Sequence, residues 1–241
     1  MENNNEAEFD NFSEYYGDIV ENDLDQFNIN IEAGMKSKIF HFKNLIKKEP
    51  KAILDFGCGI GLFIPYLHEQ FKYAKLYGCD ISKKSIEIAS EKYPYCDFKV
   101  INNIDDLKYF NKIDCIFIST VLHHIPQNEH EYWVKGLLDI LEKGKIVVFE
   151  NNMKNPLMKA FIKKTKIDKK AVMLSPKYCK RLFLNKFYKT KLGDKEILLK
   201  KDSIKLKYTY FFPWKNKIFR YLETLLFWLP LGAHYCVYIK K

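Results

Sequence analysis

The chain has 241 residues, 47% hydrophobic and 29% charged, with a formal net charge of +10. That is enough to bury one large α/β core or two small ones, and the balance excludes a disordered or collagen-like chain. The opening run is polar and acidic, so no secretory signal is expected; the longest apolar stretch, "TLLFWLPLGA" at 224–233, falls short of the roughly 20 residues a membrane span takes.

The charge is unevenly spread. Residues 1–32 hold ten acids and no Lys or Arg, whereas residues 151–241 hold twenty-three bases against five acids. Such a basic third suits an anionic partner: a phosphate, a nucleic acid or a membrane surface. It equally suits a lysine-rich composition, because Arg181 and Arg220 are the only arginines and dedicated phosphate surfaces usually recruit arginine. Six cysteines at 58, 79, 96, 115, 179 and 236 form no CxxC pair. They fit a reducing cytoplasm, with Cys79 and Cys115 as small core residues and no metal site.

Residues 9–48 read as helices, with Ile39, Phe42, Leu45 and Ile46 at three-and-four spacing. From residue 51 strands and helices alternate: strand 51–56, helix 60–72, strand 74–79, helix 82–92, strand 97–102, strand 112–119, helix 128–142, strand 145–150. This rhythm predicts a parallel sheet with crossover helices. Ser82 and the Asn128/Glu131 pair are expected helix caps, and Pro94 and Gly144 helix stops. After residue 150 come helical patches, a strand over 203–213, an apolar helix over 216–229 and a last strand at "HYCVYIKK".

The stretch "ILDFGCGIGLF", 53–63, runs a hydrophobic strand into three glycines at alternate positions. A strand that ends in glycines and opens a helix is the setting for a nucleotide-type ligand, through close backbone approach and free N–H groups. Asp80 ends the second strand, where an acid can accept from ribose hydroxyls. The dinucleotide pattern G-x-G-x-x-G is not met, because the third glycine comes one residue early.

These segments resemble the class I S-adenosylmethionine-dependent methyltransferases: "ILDFGCGIGLF" their first motif, "LYGCDIS" the ribose segment, "CIFISTVLHHIP" the fourth strand and its loop, "GKIVVFEN" the fifth strand. The resemblance covers roughly residues 51–150. It implies a Rossmann-like, doubly wound α/β fold with a seven-stranded, mostly parallel sheet whose last strand is antiparallel. The expected organisation is an N-terminal helical lid (1–48), a cofactor-binding core (49–150), a helical substrate-side insertion (151–202) and final strands completing the sheet (203–241).

The resemblance further implies that Asp55, Phe56, Gly57, Cys58, Gly59 and Gly61 line the methionine part of S-adenosylmethionine. Asp80 would hold the ribose, Ile81 pack on the adenine, Asn103 and Ile104 meet the adenine edge, and Thr120 and Tyr16 complete the set. His123 and His124, after the fourth strand, are candidate bases, since histidine titrates near neutrality. Tyr15, Glu150, Asn151 and Asn152 are candidate substrate contacts. Lys163, Lys164, Lys166, Lys169 and Lys170 read either as contacts to a phosphorylated acceptor or as a solvated face.

The second half, "ENNMKNPLMKAFIKK", "AVMLSPKYCKRLF" and "LPLGAHYCVYIKK", resembles bacterial tailoring methyltransferases of surface glycans and small metabolites. The expected activity is O-methylation of an anionic, phosphorylated or nucleotide-activated sugar-type metabolite. The alternatives are an RNA methyltransferase using the basic third, a protein methyltransferase, and a cofactor-binding regulator without turnover; peripheral membrane contact is a lesser possibility.

Overall fold

A computed structural model describes residues 31–164, 171–184, 187–189, 196–198, 203–211 and 225–241. Tyr15, Tyr16, Lys166, Lys169, Lys170 and most of the expected helix 216–229 lie outside the described residues.

Helix α1 (Ile31–Ile46) buries Ile39, Phe42 and Ile46, the face its spacing sets out. The core then alternates: β1 (Ala52–Phe56), α2 (Ile64–Gln70), β2 (Lys75–Asp80), α3 (Lys83–Lys92), β3 (Asp97–Val100), β4 (Ile113–Ser119), α4 (His130–Ile140) and β5 (Leu141–Asn151). Helices α5 (Pro156–Lys164) and α6 (Pro176–Phe183) follow, then a two-stranded ribbon of β6 (Phe187–Lys189) and β7 (Glu196–Leu198), and finally β8 (Ile204–Thr209) and β9 (His234–Lys240).

Seven strands form one sheet in the order β3-β2-β1-β4-β5-β9-β8. The pairs from β3 through β5 are parallel, and β9 runs antiparallel between β5 and β8. The strand order reverses between β1 and β4, so a crevice opens beyond their C-terminal ends. Each face carries its own core. One packs Phe56, Trp133, Val134, Leu137 and Phe183; the other packs Phe42, Phe71, Phe117 and Phe149 beneath α1 and α2. Phe42 meets Phe71 and Phe117 edge to face at 5.5 and 5.1 Å.

Three local expectations are corrected. Helix α4 starts from Glu129 without a side-chain cap, so Asn128 and Glu131 do not form one. Helix α2 covers Ile64–Gln70, because the residues after Gly59 make turns first. Gly144 lies within β5 rather than closing a helix: a Cβ there would stand 2.0 Å from the Asp114 carbonyl oxygen, where the β4–β5 register shifts. Ser82 does cap α3, accepting from the Ser85 amide at 3.0 Å.

Candidate active site

The loop after β1 is pinned from below by the Cys79 carbonyl, which accepts from the amides of Gly57 and Cys58 at 2.8 and 2.9 Å. Gly57, Gly59 and Gly61 all adopt left-handed φ, at 72°, 52° and 80°, a region L side chains rarely enter. Their surroundings differ. A Cβ on Gly57 would sit 2.5 Å from Val121, and one on Gly61 would sit 2.9 Å from the Tyr93 ring. At Gly59 nothing lies within 4 Å. Protein side chains thus stand where a Cβ on Gly57 or Gly61 would point, and of the three only Gly59 faces open space.

Two carboxylates flank this loop. Asp55 is 2% exposed, and its Oδ2 has no hydrogen-bond partner among the described residues. Burial, and then the nearby Asp80, push its pKa up to about 8. Asp80 is tied down: its Oδ2 accepts from the Gly59 amide at 2.8 Å and its Oδ1 from the Ser82 amide at 3.0 Å. Burial raises its pKa, opposed by those amide donors and by His124.

The segment after β4 carries the two histidines on a short 3-10 turn, Leu122–His124. Thr120 enters it at φ 56°, a β-branched residue in left-handed backbone, with its amide on the Phe149 carbonyl at 2.8 Å. His123 points into the protein. Its Nδ1 lies 2.5 Å from Glu150 Oε2, and Glu150 Oε1 accepts from the Leu122 amide at 3.0 Å. His130 Nε2 bonds the Leu122 carbonyl at 2.8 Å and fixes the turn from the other side. His124, its ring 4.2 Å from that of His123, lines the crevice.

The crevice lining separates the expected site residues. Asp55, Phe56, Gly57, Cys58, Gly59, Asp80, Ile81, Thr120 and His124 all contribute. His123, Gly61, Asn103, Ile104, Glu150, Asn151 and Asn152 do not, and each has another position. Asn103 is exposed, with its Oδ1 accepting from the Asp105 amide at 2.8 Å. Ile104 packs toward Gly136. Glu150 holds the histidine turn, Asn151 is buried, and Asn152 Nδ2 donates to the Pro230 and Gly232 carbonyls at 3.1 and 2.7 Å.

The sequence reading missed the wall opposite the glycines, made by Ile101, Ile125, Pro126, Glu129 and Trp133. Glu129 and Trp133 stand four apart at the start of α4, and that helical spacing was the available signal.

Comparison with known proteins agrees with this geometry. Residues 53–144 match a family described as "Methyltransferase domain". These residues are similar to a methyltransferase domain, in the fold of S-adenosylmethionine-dependent methyltransferases. The chain is 28% identical over 112 residues to a tRNA N(3)-methylcytidine methyltransferase of Schizosaccharomyces pombe, covering 43% of this chain and 45% of that protein. It is 28% identical over 123 residues to a putative methyltransferase of Invertebrate iridescent virus 6, covering 46% of each. The chain thus spans about half the length of the curated relatives it matches.

Among solved structures, a SAM-dependent methyltransferase from Archaeoglobus fulgidus superposes with TM-score 0.61 at 16% identity, covering 90% of this chain and 97% of that one. A plantazolicin methyltransferase, solved with a triazolic desmethylPZN analog and SAH, superposes with TM-score 0.58 at 16% identity, covering 98% and 96%. These similarities show the fold.

Methyltransferases of this class use S-adenosylmethionine, and the residues present fit it. The orphaned Asp55 Oδ2 faces the need of an ammonium group, and the space over Gly59 admits a ligand where a Cβ would intrude. The apolar wall from Ile101 to Trp133 matches a flat aromatic base.

Proposed function

We propose that the chain transfers the methyl group of S-adenosylmethionine to an oxygen atom of a small acceptor. The acceptor class is an anionic, phosphorylated or nucleotide-activated sugar-type metabolite, as in surface-glycan tailoring. What carries the reading is the crevice at the sheet's switch point, where a buried carboxylate with one oxygen unpartnered among the described residues, an open glycine and a histidine line one space. The resemblance of the second half to glycan-tailoring enzymes supports the acceptor class.

S-adenosylmethionine, when bound, supplies an electrophilic methyl on a positively charged sulfur. The chain's own share is placement and proton handling. Asp55 offers a carboxylate to an ammonium, and Asp80 keeps the Gly59 amide in register while presenting acid at the tip of β2. His124 takes the acceptor's proton, and the Glu150–His123 pair holds the turn from which it projects. Cys58, whose thiol pKa burial raises well above its usual value, is no nucleophile.

Calorimetric titration with S-adenosylhomocysteine, repeated on Asp80→Ala, tests the donor site. Micromolar binding that the substitution abolishes supports it. A folded wild type that binds nothing overturns it and favours a domain without turnover. RNA methylation is the second reading, favoured by the yeast relative and the basic residues 151–241. Tight RNA binding that falls steeply with salt would bring it forward.

A further inference from the structure

The face of the sheet under α1 changes character at its C-terminal edge. Going up β4, the residues on this face are Cys115, Phe117 and then Ser119; up β5, Val147, Phe149 and then Asn151. On β9 they are Tyr238, Cys236 and then His234, which pairs with Thr209 of β8. Asn151, His234 and Thr209 share one register row beyond the Phe149–Cys236 row, with Ser119 one row lower beside Phe149, and all four are buried. From above, α1 adds buried Ser37 and Lys38.

Lys38 joins this polar edge to the donor crevice. Lys38 Nζ donates to Ser119 Oγ at 3.0 Å and lies 5.8 Å from the centre of the Phe63 ring. Ser119 and Phe63 both line the crevice. Burial, and then the charge of Lys38, hold the His234 imidazole neutral, its pKa well below the usual histidine value. Ser37 Oγ, Thr209 Oγ1 and His234 Nδ1 are buried without a hydrogen-bond partner among the described residues. Thr209 and His234 are cross-strand neighbours, and because buried polar atoms are ordinarily satisfied by protein or bound water, two adjacent orphans mark a place built for something else.

Among the described residues the set consists of an ammonium, hydroxyls and a neutral ring. We propose that Lys38, Ser37, Thr209 and His234 form the anion-recognition half of the acceptor site, taking a carboxylate or phosphate group of the methyl acceptor. Lysine supplies the charge and the hydroxyls direct it. This rests on the methyl-transfer reading for the meaning of "acceptor", but the anion site itself is testable without it.

The probes are inorganic phosphate and acetate, titrated into wild type, Lys38→Met and Thr209→Val with and without S-adenosylhomocysteine. Wild type is expected to bind at least one of them at millimolar concentration; phosphate alone or acetate alone names the group. Lys38→Met should weaken that binding about tenfold or more, and Thr209→Val about threefold. S-adenosylhomocysteine affinity should stay unchanged in both. Thr209→Val should also raise the melting temperature, because it removes a buried hydroxyl that lacks a partner; a hydroxyl used by the fold would lower it.

Loss of S-adenosylhomocysteine binding in a folded Lys38→Met would make Lys38 a donor-site residue and overturn the proposal. So would anion binding unaffected by both substitutions, or none in the wild type. Failure of the methyl-transfer reading shows separately, as no S-adenosylhomocysteine binding by a wild type that still binds the anion through Lys38.

Discussion

Glu150 Oε2 lies 2.5 Å from His123 Nδ1, and both side chains are buried beneath the crevice they do not enter. The other Glu150 oxygen takes the Leu122 amide, so one carboxylate ties the first two residues of the turn that presents His124. Removing one partner of a buried pair leaves the other uncompensated. Glu150→Ala is therefore expected to cost about 3 kcal/mol in urea denaturation, with Glu150→Gln costing less because it keeps an acceptor for Leu122. A Glu150→Ala protein as stable as wild type would show the pair to be incidental.

The histidines should separate in kinetics. His124→Gln should lower kcat by about 100-fold or more while S-adenosylhomocysteine binding survives. His123→Gln should act mainly on stability. His124 also bears on Asp80 electrostatically, and this sharpens the test. If His124→Gln weakens S-adenosylhomocysteine binding and leaves kcat alone, the ring serves the ribose side and the base assignment falls.

The glycines should differ in their response to a methyl group. Gly57→Ala meets Val121 at 2.5 Å and should cost about 3 kcal/mol; adding Val121→Ala should restore part of it, leaving the roughly 1 kcal/mol due to left-handed backbone. Gly59→Ala should cost only about 1 kcal/mol in stability yet weaken S-adenosylhomocysteine binding at least tenfold. Equal effects of Gly57→Ala and Gly59→Ala on binding would show that the loop acts as a unit.

The raised Asp55 gives two pH dependences. A carboxyl raised on folding stabilises the folded protein at low pH, and that contribution is lost as pH climbs from about 4 through about 8. Melting temperature should therefore fall over this range by more in wild type than in Asp55→Asn. A ligand ammonium favours the ionised acid, so S-adenosylhomocysteine should bind about tenfold tighter at about pH 8 than at about pH 6, with proton release. Identical calorimetric heats in buffers of different ionisation enthalpy would contradict the linkage.

The sheet was legible because its strands are apolar runs broken by turn residues, and because Gly57–Gly61 and Asp80 stand at fixed places in a repeating unit. What escaped was non-local or aperiodic. The sequence offers both histidines as candidate bases after the fourth strand; they sit on a 3-10 turn, where successive side chains fan out by about a third of a turn, and only His124 lines the crevice. Of the candidate substrate contacts Glu150, Asn151 and Asn152, the first and third bond to turns that no local pattern announces. The meeting of Lys38 with Ser119 joins residues 81 positions apart, a distance that helix and strand periodicities do not encode. Asn103 was aligned by motif position, and a hydrogen-bonded loop carries it outside the crevice lining.

The position of β9 between β5 and β8 has a consequence for biosynthesis. During translation β5 emerges with one edge waiting for a strand that is still to be made, and the intervening segment takes roughly 4–17 s at ordinary elongation speeds. Throughout that interval Ile146–Phe149, a fully buried run in the finished protein, stands as an exposed, hydrogen-bond-hungry edge on the nascent chain. Ribosome-bound intermediates halted before residue 234 are thus where chaperone capture, or aggregation in its absence, should concentrate.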